Sequence, residues 1–258
     1  MSGDARRPDV RICDDLADLS RRVAESVVVL INDAVRRSGR CTVALSGGNT
    51  PRLIHALLAS VLRDQIPWPS VHVFWGDERY VPADDPASNY GMARATLLDH
   101  VPCPAANIHP MPTSFPQPDV AACDYERMLR EYFADAWPRF DLLFLGVGED
   151  GHTASLFPGS PALDEDTRWV VPTVAPVEPT TRLTLTLPAL AGAATTCMLA
   201  SGRAKRPVLE RVLRRDPAAR HYPVARLAEA AHALTWWVDA EAAPGATDSQ
   251  QRSDTTCS

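Results

Sequence analysis

The sequence predicts a single α/β domain with a mostly parallel, Rossmann-like sheet between two layers of helices. Short apolar runs alternate with amphipathic helical segments along almost the whole chain, which is the pattern of consecutive βα units. Strands of this kind are covered by helices on both faces, as in other parallel sheets. No internal repeat or long flexible linker divides residues 1–240, so one domain is expected there.

The first half of the chain contains the clearest helical signals. Residues 15–37 carry apolar side chains at helical spacing, and Gly39 follows where a C-terminal glycine belongs. Thr50 is predicted to cap the second helix, with Pro51 in its favoured first position. The predicted helices are 15–37, 50–63, 89–100 and 121–136, and the predicted strands are 41–45, 71–75, 108–111 and 140–145.

The second half has looser patterns. Its predicted strands are residues 169–174, 183–187, 196–200 and 234–238, with one helix through 205–213. Pro207 fits the first turn of that helix. Residues 241–258 are small, polar and non-periodic, and this composition predicts a disordered tail.

Composition argues against several classes of function. A net charge of −6 argues against nucleic acid or an anionic membrane as the main partner. The chain has neither an apolar run of about 18 residues nor a signal-peptide pattern in residues 1–11, so a cytoplasmic protein is expected. The expected assembly state is a monomer or small homo-oligomer. The six cysteines show no metal-ligand spacing, and we expect them to be reduced.

Four polar, glycine-containing loops each follow a predicted strand. They are residues 46–50, 76–79, 146–152 and 201–205. Loops that follow parallel strands emerge at the same edge of the sheet, where α/β proteins bind their ligands. We therefore expect the four loops to converge on one cleft.

Two of these loops suggest an anion site. Residues 46–50 (Ser-Gly-Gly-Asn-Thr) form a glycine turn that leads into a helix N-terminus, which presents N–H groups to an anion. The turn lacks the P-loop pattern, and an ordinary βα turn is the alternative interpretation. Lys205, near the start of another helix, adds an opposing positive charge, and the pair favours a phosphate site.

The loop at 146–152 is the candidate catalytic segment. His152 lies two residues from Asp150 on a glycine-rich loop, where a carboxylate can tune a histidine near neutral pH. A structural histidine is the alternative. The spacing of Gly146, Gly148 and Gly151 also matches a dinucleotide fingerprint, but prolines follow within ten residues and disfavour the long helix that this fingerprint requires.

The other catalytic candidates are weaker. Asp77 and Glu78 end a predicted strand beside Arg79, and a structural ion cluster is the alternative to a site role. No GxSxG elbow occurs, and Ser155 lacks the strand-to-helix turn of a serine nucleophile. None of the cysteines lies in one of the four loops.

Together these segments resemble the 6-phosphogluconolactonase family, which is related to the glucosamine-6-phosphate deaminases. The resemblance covers about residues 12–240. The segments that carry it are 45–51 (LSGGNTP), 74–82 (FWGDERYVP), 88–90 (SNY), 146–158 (GVGEDGHTASLFP), 182–186 (RLTLT), 201–205 (SGRAK) and 234–239 (LTWWVD).

The resemblance implies hydrolysis of 6-phospho-D-glucono-1,5-lactone in the oxidative pentose phosphate pathway, without metal or nucleotide. It implies that His152 is the general base and that Asp150 and Asp77 belong to the same pocket. The residues implied in holding the phosphate and the sugar acid are Ser46, Gly47, Gly48, Asn49, Thr50, Arg79, Arg182 and Lys205.

Two alternatives accompany this expectation. The related deaminase-isomerases share the glycine turn, the acidic pair and the Asp-Gly-His segment. Arg79 and Phe157-Pro158 favour a lactonase, because a Phe-Asn-Glu stretch is expected in that second position in the deaminases. A non-catalytic sugar-phosphate sensor is the other alternative, and loss of His152 or Asp150 would be its expected mark.

Overall fold

Two sheets organise residues 8–245, the part of the chain that the computed structural model describes. The strands are β1 (Asp9–Cys13), β2 (Cys41–Leu45), β3 (Val71–Trp75), β4 (Asp77–Arg79), β5 (Leu142–Gly146), β6 (Val170–Val174), β7 (Thr181–Leu185), β8 (Thr196–Ala200) and β9 (Leu234–Asp239). The α-helices are α1 (Leu16–Ser38), α2 (Asn49–Ala59), α3 (Asn89–Thr96), α4 (Pro118–Tyr132), α5 (Leu187–Ala191), α6 (Arg206–Leu213) and α7 (Pro223–Ala230).

The larger sheet has the predicted parallel, helix-flanked architecture. Its strand order is β1-β9-β8-β5-β2-β3, and every neighbouring pair is parallel. The chain progresses outward in one direction from β2 to β3 and in the other from β5 through β8 to β9. The boundary between β2 and β5 is therefore a topological switch point, where such sheets commonly bind ligands.

The smaller sheet is antiparallel and has the order β4-β7-β6. Two of its strands correspond to the predicted strands at 169–174 and 183–187, but the apolar pattern did not reveal that they leave the main sheet. β4 was predicted as loop, because a three-residue polar strand has no periodic signal. β1, α5 and α7 were also absent from the prediction, and Ile108 makes only an isolated bridge to Val73 instead of a strand.

Helix α1 shows why its bounds were predictable. The Asp15 side chain accepts a hydrogen bond from the Asp18 N–H (2.8 Å), and Gly39 ends the helix in the left-handed region at φ 76°. Its apolar stripe, including Leu19 and Val23, is buried against the sheet. The prediction for residues 15–37 is confirmed to within one residue at each end.

The start of α2 differs from the prediction. Thr50 does not cap the helix: Gly48 occupies the N-cap position at φ 107°, and no side chain within the described part of the chain caps it. The helix begins at Asn49, so Thr50 already lies within its first turn, and it ends at Ala59 instead of Arg63. The first N–H groups of α2 are consequently left without a side-chain cap, facing the space beyond the sheet edge.

The other helix bounds shift by a few residues. The helix predicted at 121–136 runs instead from Pro118 to Tyr132, because Ala134 and Asp135 adopt positive φ and interrupt it. No helix within residues 8–245 is long and apolar enough to cross a membrane.

Part of the predicted tail lies in the described structure. Ala242 and Ala243 are buried, and their N–H groups donate to the Asp239 carboxylate (2.8 Å) and carbonyl (2.9 Å), respectively. Residues 246–258, which include Cys257, lie outside the described residues, as do residues 1–7.

Candidate active site

A cleft of about 360 Å³ opens where β2, β4, β5 and β8 end, within the range of about 300–1,000 Å³ typical of small-molecule sites. All four predicted loops line it, so their convergence is confirmed. The predicted site residues that line the cleft are Ser46, Gly47, Gly48, Asn49, Thr50, Asp77, Arg79, His152 and Lys205.

Two predicted site residues do not line the cleft. Asp150 lies behind His152, to which it is hydrogen-bonded. Arg182 lies in β7, directly opposite Arg79 in the antiparallel register, and is only 6% exposed. Burial, with the nearby Arg79 guanidinium, lowers the pKa of Arg182. Arg182 therefore adds positive charge beside Arg79 without reaching the cleft surface.

The His152–Asp150 pair has the geometry of an oriented general base. The imidazole Nδ1 lies 2.6 Å from Asp150 Oδ1, and the His152 N–H donates to the same oxygen (3.1 Å). Partial burial acts to raise the pKa of Asp150, but these hydrogen bonds and the adjacent imidazole outweigh it and hold the pKa below 3.8. A carboxylate on Nδ1 favours the tautomer whose Nε2 can accept a proton.

Glycine is required twice in this loop. A Cβ on Gly148 would lie 2.1 Å from His152 Nδ1 and 2.5 Å from Asp150 Oδ1, so a side chain there would displace the pair. Gly151 has φ +82°, and a Cβ on it would lie 2.5 Å from the Tyr222 ring. The glycines that formally match a dinucleotide fingerprint instead give room to the histidine.

Asp77 and Glu78 are held by hydrogen bonds to other loops. Asp77 is 7% exposed; its Oδ2 accepts from Ser155 Oγ (2.6 Å), and Asn89 Nδ2 donates to its carbonyl (2.9 Å). Glu78 is 1% exposed and accepts from the N–H groups of Arg79, Asn89 and Tyr90, each at 2.7 Å. Despite these donors, burial raises the pKa of Glu78 to about 7.

The Arg79 N–H belongs to this network, but its guanidinium has a different partner. Its Nη1 donates to the Ala87 carbonyl (2.6 Å), and the side chain also reaches the cleft. This arrangement orients Arg79 through the backbone of the following loop, whereas Asp77 and Glu78 depend on Ser155 and the start of α3.

The glycine turn and Lys205 line the cleft as well. Ser46 Oγ is buried and has no hydrogen-bond partner within residues 8–245. It lies next to the uncapped N-terminus of α2, whose partial positive charge favours an anion. Lys205 Nζ is 3.8 Å from Glu149 Oε1 at the cleft, and Lys205 is the single lysine among the 26 lysine and arginine residues of the chain.

Sequence reasoning missed the residues that support the cleft walls. Asn89 lines the cleft, and Ser155 binds Asp77 from beneath the surface. Asp239, which is 4% exposed, accepts hydrogen bonds from Ser201 Oγ and the Gly202 N–H and so holds the turn that leads to Lys205. An acidic residue that ends a buried apolar strand was the available signal for Asp239.

The described residues contain no group of three or more His, Cys, Asp or Glu side chains that could hold a metal ion. The cleft brings together a positioned imidazole, an adjacent carboxylate and a glycine turn at a helix N-terminus. This combination suits attack by an activated water on an electrophilic carbon of an anionic substrate.

Comparison with known proteins identifies relatives over nearly the whole chain. Residues 14–237 match the family described as glucosamine-6-phosphate isomerases/6-phosphogluconolactonase. The 6-phosphogluconolactonase of Synechocystis sp. is 41% identical over 91% of this chain and 97% of its own length, and that of Nostoc sp. is 38% identical over 90% and 96%. The solved structure of 6-phosphogluconolactonase from Trypanosoma cruzi superposes with a TM-score of 0.82 at 29% identity, covering 94% of this chain and 98% of that one.

Proposed function

Because the chain belongs to the glucosamine-6-phosphate isomerase/6-phosphogluconolactonase family, we propose that it hydrolyses 6-phospho-D-glucono-1,5-lactone to 6-phospho-D-gluconate. The observation that carries the proposal is the single cleft that combines the His152–Asp150 pair with an uncapped helix N-terminus and Lys205. A lactone carbonyl needs only an activated water, which the His152–Asp150 pair can supply. A phosphate needs an anion site, which the helix N-terminus and Lys205 can supply, so the two parts of the cleft match the two ends of this substrate.

In the proposed reaction His152 Nε2 takes a proton from water as the oxygen attacks the lactone carbonyl carbon. Asp150 keeps the other ring nitrogen protonated and stabilises the imidazolium that forms. The tetrahedral intermediate collapses by breaking the bond between the carbonyl carbon and the ring oxygen. The imidazolium returns its proton to that oxygen, which leaves a free hydroxyl and the acid. No covalent enzyme intermediate is needed.

The phosphate is proposed to bind between Ser46 Oγ, the N–H groups of Gly47–Thr50 in the glycine turn and the first turn of α2, and the ammonium group of Lys205. These groups are remote from the reacting carbon, so their binding energy can orient the lactone ring against His152. Arg79 is proposed to contact the sugar acid, with Arg182 supporting it from β7. Asp77 completes the polar wall next to the reacting carbon.

The proposal extends to the pathway, the compartment and the assembly state of the protein. The reaction belongs to the oxidative pentose phosphate pathway and is proposed to take place in the cytoplasm, with no metal or nucleotide cofactor. The protein is proposed to act as a monomer or small homo-oligomer. Light scattering on the protein as it elutes from a size-exclusion column measures the molar mass that tests this.

The test is hydrolysis of freshly prepared 6-phosphogluconolactone, followed with 6-phosphogluconate dehydrogenase and corrected for spontaneous opening. Glucosamine 6-phosphate is assayed in parallel. Acceleration with the lactone alone supports the proposal. Ammonia release from the amino sugar would indicate a deaminase, and no reaction with either would indicate a sensor.

A binding measurement complements the assay. Because Lys205 is the single lysine, reductive methylation followed by peptide mapping reports on one side-chain amine. We expect 6-phosphogluconate to protect Lys205 from methylation, whereas gluconate without the phosphate should not. Equal labelling with and without 6-phosphogluconate would contradict the proposed position of the phosphate.

A further inference from the structure

Asn89 lies between Asp77 and the glycine turn at residues 46–50 and contacts both. This residue begins α3, is 2% exposed and lines the cleft. Its Nδ2 donates to the Asp77 carbonyl (2.9 Å) and lies 3.4 Å from Asp77 Oδ1. Its Oδ1 faces the glycine turn so closely that a Cβ on Gly47 would lie 1.8 Å away. One side chain thus contacts both the acidic residue near the reacting carbon and the turn proposed to bind phosphate.

Asn89 is itself fixed from the other side. Its N–H donates to Glu78 Oε1 (2.7 Å), while the Tyr90 N–H donates to Glu78 Oε2 (2.7 Å) and Ser88 Oγ lies 3.3 Å from that oxygen. Glu78 is almost fully buried, so moving the start of α3 would break several hydrogen bonds away from water. The backbone of Asn89 is therefore a fixed point from which its side chain reaches both loops.

We propose that Asn89 is a positioning residue that sets the separation between Asp77 and the glycine turn, and thereby aligns the bound phosphate with the reacting carbon. The inference rests on the proposed function. An amide is suited to this place, because it presents a donor to Asp77 and an oxygen to the turn. A carboxylate would place a second negative charge against Asp77, and an alanine would leave a gap between the two loops.

The first test compares Asn89→Ala with wild type on the lactone. Loss of alignment without loss of the phosphate anchors should lower kcat by about 10- to 100-fold while KM changes by less than about threefold. An unchanged kcat, or a loss confined to KM, would overturn the inference. If wild type itself does not hydrolyse the lactone, the proposed function fails first and the inference fails with it.

Asn89→Asp differs least in shape and tests the donor to Asp77. A carboxylate at position 89 adds a negative charge to the cleft and so favours the protonated form of the general base His152, and the acid limb of kcat/KM should move to higher pH. The control is Asn32→Asp, in which Nδ2 bonds the carbonyls of Val28 and Gln65 far from the cleft, and which should keep the wild-type profile. Identical profiles for Asn89→Asp and wild type would contradict the proposed contact.

A double-mutant cycle with Gly47→Ala tests the second contact. Gly47 does not need positive φ, so the steric cost of an alanine there comes from Asn89 Oδ1. Gly47→Ala alone should lower kcat/KM, and adding it to Asn89→Ala should cost much less, because the obstructing atom is gone. Independent, additive losses would show that Asn89 and Gly47 do not act together.

Discussion

The histidine loop (residues 146–152) and the acidic wall (residues 77–79) face the same cleft but are built differently. His152 and Asp150 have side chains 35% and 44% exposed, and their hydrogen bond joins residues two apart in sequence. Asp77 and Glu78 are 7% and 1% exposed. Their partners lie far away in sequence: Ser155 is 78 residues from Asp77, and the start of α3 is about 10 residues on.

The two regions therefore differ in accessibility and in the number of chain segments that hold them in place. The histidine loop is accessible and locally determined, so substitutions there should change activity more than stability. The acidic wall is buried and assembled from three segments, so its substitutions should lower the free energy of unfolding along with activity. Variants in the histidine loop and in the acidic wall test this contrast.

The largest effect is expected for His152→Ala. Removing the general base should lower kcat for the lactone by about 10²- to 10⁴-fold. Affinity for 6-phosphogluconate should change by less than about threefold, because the phosphate contacts remain. The coupled assay and calorimetry measure the two quantities, with exposed His232→Ala as the control. Turnover near the wild-type level would remove His152 as the base.

Gly148→Ala should give the next largest loss. An added Cβ would fall 2.1 Å from His152 Nδ1, so the imidazole must move and kcat should fall by about 10- to 100-fold. The matched control is the buried Gly76→Ala, in which the nearest atom lies at an ordinary 3.6 Å. Thermal unfolding should show a small change in stability for Gly148→Ala. A strong loss of stability with retained kcat would reverse the contrast.

Ser155→Ala tests the acidic wall. Loss of the 2.6 Å hydrogen bond to Asp77 should lower the free energy of unfolding by about 2 kcal/mol. We expect kcat to fall by less than about tenfold, because a positioning hydroxyl is lost and no nucleophile is removed. Denaturant unfolding measures the first effect, with Ser60→Ala as the control, since that hydroxyl bonds only the Ala56 carbonyl on an exposed helix end. Complete inactivation would instead point to a covalent role for Ser155.

The smallest effect is expected in the pH dependence of stability. Because the folded protein holds the pKa of Asp150 below 3.8, its carboxylate contributes stability above that pH, and the contribution is lost as the pH falls through the lowered pKa. Asp150→Asn should therefore lower the free energy of unfolding at pH 6 by less than about 1 kcal/mol, since solvent screens the pair. Unfolding midpoints from pH 3 to 7 measure this, and the exposed Asp84→Asn is the control. A larger difference at pH 3 than at pH 6 would contradict the sign.

Much of the histidine loop could be predicted from the sequence, because its contacts are local. Gly148, Asp150 and His152 lie within five residues, so spacing alone brings them together after a buried strand. The same holds for α1, whose cap and terminal glycine are neighbours of its apolar stripe. Thr50 failed as a cap because the N-cap is Gly48 and the first turn begins at Asn49, a shift of two residues that local propensity does not resolve.

The acidic wall was only partly predictable. Asp77 and Arg79 were identified as site residues, but β4 was missed and so was its pairing with β7, which buries Arg182 opposite Arg79. Nothing in a polar three-residue segment indicates which strand it will join. Ser155 and Asn89 carried no predicted role, since their importance depends on partners brought near by folding.

Sequence alone predicted the mostly parallel α/β architecture, the convergence of the four loops and the proximity of His152 to Asp150. Helical periodicity, the alternation of strands and helices, and glycine spacing are local features of the chain, so they can be recognised without the fold. Which groups support the loops of the cleft depends on the tertiary structure. Burial of Glu78, the contacts of Asn89 with Asp77 and Gly47, and the lack of a partner for Ser46 Oγ within residues 8–245 all depend on segments distant along the chain. Packing brings those segments together, and packing is not encoded in any one of them.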